Sequence, residues 1–420
     1  MRVLLNPVGS HGDVHPFIGV GRALQSRGHE VVFITSAAFQ DLVTKNGFRF
    51  LPIGTEQDYH DLTHDPDLWH PRRSLKVLFG GETFERMLRE CYRHIEANYQ
   101  RGDTVLLSGS LGLAGRLAHE HLGIPFATVH LQPMAILSIV KPPVFAPLRI
   151  PSWWPHWLRR SLFWFAERRI LDPMLAPPIN RLRAELGLSP IARIFGAWRQ
   201  SPQSILAFFP EWYGHPADWP AHLKHVGFVK YDQGESHELP GKLQEFLDAG
   251  EPPIVVSFGS AMRSGRPYFE AAVEAFKLLN RRGLILAKSG DQIPANLPTN
   301  VLQLDYAPFS LVLPRCAAII HHGGIGTSAQ AMTAGIPQLV MPLAFDQPDN
   351  ADRLEKLGVA RWLKPNRFTG PNVAKMLQEL TRSEAVRTAC QTVATKMSAE
   401  PDPASAIIDA VETLRGTDTK

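Results

Sequence analysis

The residues with the most chemistry to offer form one run, His321-His322-Gly323-Gly324-Ile325-Gly326-Thr327, with Asp346-Gln347 on the next connection. An apolar stretch, Ala317 to Ile320, breaks into glycines, and helical spacing starts near Thr327. A strand that runs through a glycine loop into a helix aims several backbone N–H groups and the positive end of a helix dipole at one spot. That environment suits a pyrophosphate. His322 and the Thr327 hydroxyl add donors to the same anion, and the acid–amide pair Asp346-Gln347 is placed to read the hydroxyls of an attached sugar. The chemistry implied is recognition of a nucleotide sugar. A second glycine loop, Gly9-Ser10-His11-Gly12-Asp13-Val14-His15-Pro16, carries an acid between two imidazoles.

Elements of two kinds must position these loops. Apolar strands are expected at Val3–Leu5, 30–35, 48–52, 105–107 and 126–130, with helices at 17–26 (Pro16 at its start), 38–45 and 112–121. The alternation resumes with strands at 254–257, 284–288, 301–304, 317–320 and 338–341, and helices at 268–280, 327–334 and 350–356. Strands alternating with helices predict parallel sheets covered on both faces, hence an α/β protein of two doubly wound domains with a cleft between them. Ligands of such sheets sit beyond the carboxyl ends of the strands, where both glycine loops fall. The boundaries expected are 1–229 for the first domain, a turn-rich linker over 230–253, the second domain over 254–400, and a tail over 401–420.

Composition sets outer limits. At 420 residues the protein exceeds one ordinary core, and 44% hydrophobic with 20% charged residues is a globular balance. A formal net charge of +4 without a basic run argues against nucleic acid. Seventeen histidines can add positive charge as pH falls towards 6. Cys91, Cys316 and Cys390 fit no disulfide or zinc pattern, which suits a reducing cytoplasm. The apolar run at the N-terminus is too short for a signal peptide. Leu122 to Val140 lacks charge for 19 residues, but its prolines and polar residues read as a buried strand and loop, not a spanning helix. Asp65-Pro66-Asp67 has the look of a metal motif but sits in a proline-rich turn, so no metal site is expected.

The segment 142–220 differs from its surroundings. It holds seven of the nine tryptophans, with Trp153, Trp154, Trp157 and Trp164 close to Arg159, Arg160, Arg168 and Arg169. A helix there is broadly apolar with a basic rim. It serves as an acceptor-channel wall or a contact with the membrane interface, or it packs on the first domain with its arginines in water.

Several of these motifs resemble a known family. His322-Gly323-Gly324-Ile325-Gly326-Thr327, Gly335-Ile336-Pro337-Gln338, Pro342 and Asp346-Gln347 resemble the donor signature of family-1 glycosyltransferases (the UDP-glycosyltransferase-like group). The loop from Gly9 to Phe17 resembles the acceptor loop of its antibiotic-type and sterol-type members. Within the family, likeness to the rhamnosyltransferases of rhamnolipid synthesis includes Gly109-Ser110-Leu111, Pro142-Pro143-Val144, Arg193-Ile194-Phe195, Ser201-Pro202-Gln203 and Asp346 to Ala351.

The resemblance implies a GT-B fold: two Rossmann-like domains facing across a cleft, an N-terminal acceptor domain, a C-terminal donor domain, and a C-terminal helix able to cross back. It implies inverting, metal-independent transfer of a hexose or deoxyhexose from a UDP- or dTDP-sugar to a hydroxyl of a lipophilic acceptor, with no cofactor besides the donor. Asp13 then stands as the base, with His15 and His11 as alternatives. His322, Gly324, Gly326, Thr327 and Ser260 face the diphosphate, Asp346 and Gln347 the sugar, and Gln330 the ribose. Tyr306 or Phe309 stacks on the base or fills core. Ser10, Trp153 and Trp157 serve the acceptor. The same fold also supports a nucleotide-sugar epimerase or a non-catalytic activator subunit that binds nucleotide sugar. A location in the cytoplasm, at the inner face of the membrane, fits this reading.

Overall fold

The computed structural model describes residues 1–70, 73–145, 149–231, 239–259, 262, 265–288 and 292–416. The protein divides into two compact units. One comprises Met1–Pro143, Leu148–Val229 and Pro401–Lys420; the other comprises Val144–Pro147 and Lys230–Glu400.

The first unit is built on seven parallel strands: β1 Arg2–Asn6, β2 Glu30–Ser36, β3 Arg49–Ile53, β4 Thr104–Gly109, β5 Phe126–His130, β6 Ser204–Ala207 and β7 Leu223–His225. Their order is β3-β2-β1-β4-β5-β6-β7. The second unit has six parallel strands: β8 Ile254–Ser257, β9 Gly283–Leu286, β10 Val301–Leu304, β11 Ala318–His321, β12 Gln338–Val340 and β13 Ala360–Trp362. Their order is β10-β9-β8-β11-β12-β13. Central strands such as Val3-Leu4-Leu5 and Ala318-Ile319-Ile320 are buried throughout, as helices on both faces require. The strand order reverses between β1 and β4 in one sheet and between β8 and β11 in the other. Connections diverge there and leave a crevice beyond the carboxyl edge.

Several bounds differ from expectation, each for a local reason. The first helix runs from His11 to Ser26, not from Phe17, because Ser10 and Asp13 form a capping box that starts it two turns earlier. Pro16 therefore lies inside the helix. The glycine-loop helix starts at Ile325, where Gly324 takes an extended conformation. Residues 241–248, within the stretch read as linker, are helical and bury Leu243 and Leu247 in the second core.

The tryptophan-rich segment contains β6, and β7 follows just after it; neither strand was expected from the sequence. Ser201 and Gln203 stitch β6 to β5: Ser201 Oγ donates to the Phe126 carbonyl at 2.6 Å, and the Phe126 N–H donates to Gln203 Oε1 at 2.8 Å. The same segment forms a helix at His156–Ala166, a π turn at Glu167–Leu171 and a helix at Asp172–Glu185. Among the described residues no helix is long and apolar enough to cross a membrane.

Candidate active site

In the second unit, β11 ends at His321 and the helix Ile325–Ala334 begins four residues later, beside the end of β8. Among the described residues no side chain caps that helix, which leaves its first amides free of a capping bond. Unsatisfied N–H groups at a helix start, at a sheet's reversal point, are an anion site in waiting.

The two histidines of the run do different work. His321 is fully buried; its Nδ1 accepts the Gly323 N–H at 3.1 Å, so Nε2 carries the proton and donates to Gln338 Oε1 at 3.0 Å. Burial holds its pKa down at about 3, so it is a neutral strut for the loop. The His322 ring lies between two glycines. A Cβ on Gly259 would meet its Cε1 at 2.7 Å, and one on Gly324 would meet its Nε2 at 2.7 Å. Gly259 follows β8 with φ +83, and Gly324 precedes the helix, so the ends of β8 and β11 share the slot. Burial lowers the pKa of His322 to about 4, and its Nδ1 is buried with no hydrogen-bond partner among the described residues. A neutral imidazole with an unsatisfied buried nitrogen is poised to bond a group that is not protein.

Asp346 and Gln347 start the helix Gln347–Lys356 after Phe345, which adopts φ +57. Gln347 Oε1 accepts the N–H groups of Leu343 (2.8 Å) and Ala344 (3.2 Å), which closes the turn. Asp346 does not cap the helix backbone; its Oδ2 accepts from Asn350 Nδ2 at 2.7 Å. The same nitrogen donates to the Gly323 carbonyl at 2.9 Å. Asn350 thus ties the glycine loop to the acid–amide pair. The one sequence signal for this tie is the spacing of four between Asp346 and Asn350.

In the first unit, β1 leads through Gly9 and Ser10 into the helix His11–Ser26. The Asp13 carboxylate folds back under the loop, accepting the Ser10 N–H at 2.7 Å and the Ser10 hydroxyl at 3.1 Å. Gly9 is required there: a Cβ would lie 2.2 Å from Asp13 Oδ2, at φ +142. Desolvation raises the Asp13 pKa against the opposing effect of both Ser10 bonds. One carboxyl is therefore both a helix cap and an acid of raised proton affinity. His11 and His15 stand one turn apart with ring centroids 5.5 Å from each other, and His11 also packs edge-on against Phe39 at 4.9 Å.

A polar chain of contacts that sequence reasoning missed lies at the ends of β4 and β5. Ser110 Oγ is 2.8 Å from His130 Nδ1, and His130 Nε2 is 2.7 Å from Gln200 Oε1. His130 is fully buried and its pKa falls to about 3. It therefore accepts the Ser110 proton in a hydrogen bond but is no base at neutral pH. The Gly109-Ser110-Leu111 motif was a sequence signal for Ser110 but not for its partners; Gly112 and Gly115 clear room for Asn6 and Ser108.

The remaining candidates are scattered. Ser260 lies outside the described residues. Thr327 is half-buried and Gly326 exposed at the helix start, while Gln330 is buried one turn on. Phe309 packs on the second core and Tyr306 is exposed. Trp153 and Trp157 are exposed on the first unit. Asp65 caps the turn Pro66–Trp69, accepting the Asp67 N–H at 2.8 Å, and Asp67 pairs with Arg73 at 3.0 Å.

Comparison with known proteins places these loops in context. Residues 3–140 match the glycosyltransferase family 28 N-terminal domain, and residues 284–414 match the C-terminal domain of erythromycin biosynthesis protein CIII-like proteins. The protein is 29% identical over 387 residues to the O-mycaminosyltylonolide 6-deoxyallosyltransferase of Streptomyces fradiae, covering 86% of this sequence and 85% of that one. It is 29% identical to the sterol 3-beta-glucosyltransferase UGT80A2 of Arabidopsis thaliana, across 86% of this sequence but 57% of the plant protein. The solved glycotransferase of kitacinnamycin superposes with a TM-score of 0.74 at 22% identity, covering 98% of both proteins. With glycine loops on two doubly wound sheets and glycosyltransferase domains matched towards both ends, this is a nucleotide-sugar-dependent glycosyltransferase of the GT-B fold, similar to family-28 and EryCIII-like proteins and to the macrolide glycosyltransferases.

Proposed function

We propose that this glycosyltransferase inverts the anomeric centre, needs no divalent cation, and moves a hexose or deoxyhexose from a UDP- or dTDP-sugar to a hydroxyl of a lipophilic small molecule. The observation that carries the reading is the uncapped helix start at Ile325 beside the unpartnered Nδ1 of His322. The acceptor oxygen attacks the anomeric carbon on the face opposite the diphosphate, and the bond from that carbon to the phosphate oxygen breaks. Asp13 takes the hydroxyl proton, with His15 or His11 as alternatives. The charge arriving on the diphosphate is met by the amides of Gly324 to Thr327, the Thr327 hydroxyl and the His322 N–H, with Ser260 as a further donor. One preorganised donor of this kind is worth roughly 3 kcal/mol in the transition state.

In this reading the second unit holds the donor, with Asp346 and Gln347 on the sugar, Gln330 on the ribose and Tyr306 or Phe309 against the base. The first unit holds the acceptor near Ser10, and Trp153 and Trp157 favour a lipophilic one. The motifs that resemble the rhamnosyltransferases of rhamnolipid synthesis favour a deoxyhexose and a hydroxy fatty acyl acceptor, and the name of the Streptomyces fradiae relative also contains a deoxyhexose. A cytoplasmic enzyme at the inner face of the membrane fits such an acceptor.

The test crosses a donor panel (UDP-glucose, UDP-galactose, dTDP-rhamnose) with hydroxy fatty acids, sterols and polyphenols, in EDTA, read by mass spectrometry. The expected result is a product heavier by one hexosyl or deoxyhexosyl residue, formed only when both substrates are present. Donor turnover without acceptor, or restoration by added magnesium, contradicts the proposal.

A further inference from the structure

Six of the eight large hydrophobic side chains exposed among the described residues crowd into one stretch: Val140, Trp153, Trp157, Trp164, Phe165 and Ile170. Trp153 is 79% exposed and Trp157 68%. On the helix His156–Ala166 the outward positions Trp157, Arg160, Ser161, Trp164 and, on the following turn, Arg168 recur at intervals of three and four residues. That spacing is one helical stripe.

The helix is inverted relative to an ordinary surface helix. Its Arg159, with Glu167 at the start of the following turn, points inward and its tryptophans outward. Both inward charges are held by backbone groups: Arg159 donates through its two terminal nitrogens to the carbonyls of Ile139 (2.8 Å), Val140 (3.0 Å) and Ser152, and Glu167 accepts the Gly196 N–H at 2.5 Å. Rotating the helix to bury its rings would break these bonds, so the tryptophans are held outward by the fold.

The charge around the rings has one sign. Arg149, Arg160, Arg168 and Arg169 are exposed, while the only acids between residues 149 and 172, Glu167 and Asp172, are buried and bonded to the backbone of residues 193–196. Indole rings flanked by guanidinium groups match the headgroup layer of an anionic bilayer, where apolar faces sink about 5–10 Å and cations pair with phosphates.

We infer that the face formed by Trp153, Trp157, Trp164, Phe165 and Ile170, rimmed by Arg160, Arg168 and Arg169, docks this enzyme peripherally on an anionic phospholipid surface. This goes beyond the transfer reaction and is tested without it. The experiment is flotation of the full-length protein with phosphatidylglycerol/phosphatidylethanolamine vesicles against phosphatidylcholine vesicles. Wild type floats with the anionic vesicles and is released by salt. Trp153→Ser with Trp157→Ser weakens binding roughly ten-fold or more. Arg160→Gln, Arg168→Gln and Arg169→Gln, all exposed and therefore harmless to folding, each weaken it about five-fold. Circular dichroism checks that the tryptophan variant is folded; if it is not, the arginine variants decide. Equal flotation with both vesicle types overturns the inference, and so does wild-type binding by the arginine variants. A solution dimer that the tryptophan changes dissociate, without vesicle binding, also overturns it in favour of self-association.

Discussion

The Asp13 carboxyl does two things that usually exclude each other: it caps a helix and it holds protons above the usual carboxylate range. Asn at this position keeps an acceptor for the Ser10 N–H but cannot take a proton. Asp13→Asn should therefore fold normally and lose about 10²–10⁴ in kcat, the span general-base catalysis contributes. Asp13→Ala should lose the cap as well, about 1 kcal/mol of stability. The sign of the pH effect follows from the raised pKa: the base form disappears as pH falls through a value above that of an ordinary aspartate, so the acid limb of kcat/KM lies there and is absent in the Asn variant. For stability the direction reverses, because ionised Asp13 disfavours the fold at neutral pH; the Asn variant should be at least as stable. Undiminished turnover by Asp13→Asn would falsify the assignment. Gly259 makes a sharper case, since nothing in its sequence context distinguishes it from a turn glycine. Its alanine variant places a methyl 2.7 Å from the His322 ring at a positive φ, which should cost about 1–3 kcal/mol of stability. Binding of UDP or dTDP by calorimetry should weaken about ten-fold in parallel, and unchanged affinity would separate His322 from the diphosphate. The His322 motif was legible in the sequence because its glycines are contiguous; the Gly259 slot was not, because it joins residues 63 apart.

At the scale of elements, both sheets place their glycine loops at the strand ends where the order reverses. The alternation of apolar runs with helical spacing made those strands readable. The short β6 and β7, four and three residues long, escaped notice because too few residues carry the pattern. The direction of the tryptophans was also beyond the sequence, since it depends on carbonyls and amides that only the fold brings to Arg159 and Glu167. Seventeen histidines suggested rising charge in mild acid, but the elements bury three of them neutral, with pKa values held down at about 3 for His130 and His321 and about 4 for His322. Their unfolded pKa is near 6.5, so between there and pH 4 the unfolded state takes up more protons than the folded one. Their stabilisation is complete above about pH 6.5 and is lost as pH falls, each adding a slope of up to about 1.4 kcal/mol per pH unit. Denaturant midpoints at pH 7.5, 6 and 5 should fall steadily, and less steeply in His130→Gln; a flat profile contradicts the burial of these rings as neutral struts. Asn350 gives the second test at this scale. Asn350→Ala removes the link between Gly323 and Asp346, and should weaken donor binding while acceptor KM stays fixed; equal losses in both would make it a general stability residue.

For the whole molecule, the telling feature is the last helix, Pro403–Arg415, which follows the second unit in sequence yet belongs to the first. It buries Ile407, Ile408, Val411 and Leu414 in a unit whose other residues all lie at or before Val229. Polar contacts fix its seat: Glu412 lies 3.4 Å from His29, and Arg415 reaches the Gly102 carbonyl at 3.3 Å and Asp103 at 3.4 Å. The first unit is thus closed by residues that follow the second unit in sequence, and its core is incomplete in any polypeptide that stops before them. Burying a large aliphatic side chain contributes about 1.5–3 kcal/mol, so losing four removes roughly 6 kcal/mol or more, comparable with the whole stability of an ordinary domain. A protein ending at residue 400 should therefore unfold its first unit at markedly lower temperature, while the second unit, with its core intact, keeps its own transition. Calorimetry of the full and shortened proteins distinguishes the cases. Two transitions, of which only the first moves, fit a helix that seals the first unit; a shared downward shift of both means that the two units unfold as one. Supplying residues 401–420 as a peptide should restore part of the first transition, since its seat on the helix His11–Ser26 and β4 is otherwise exposed.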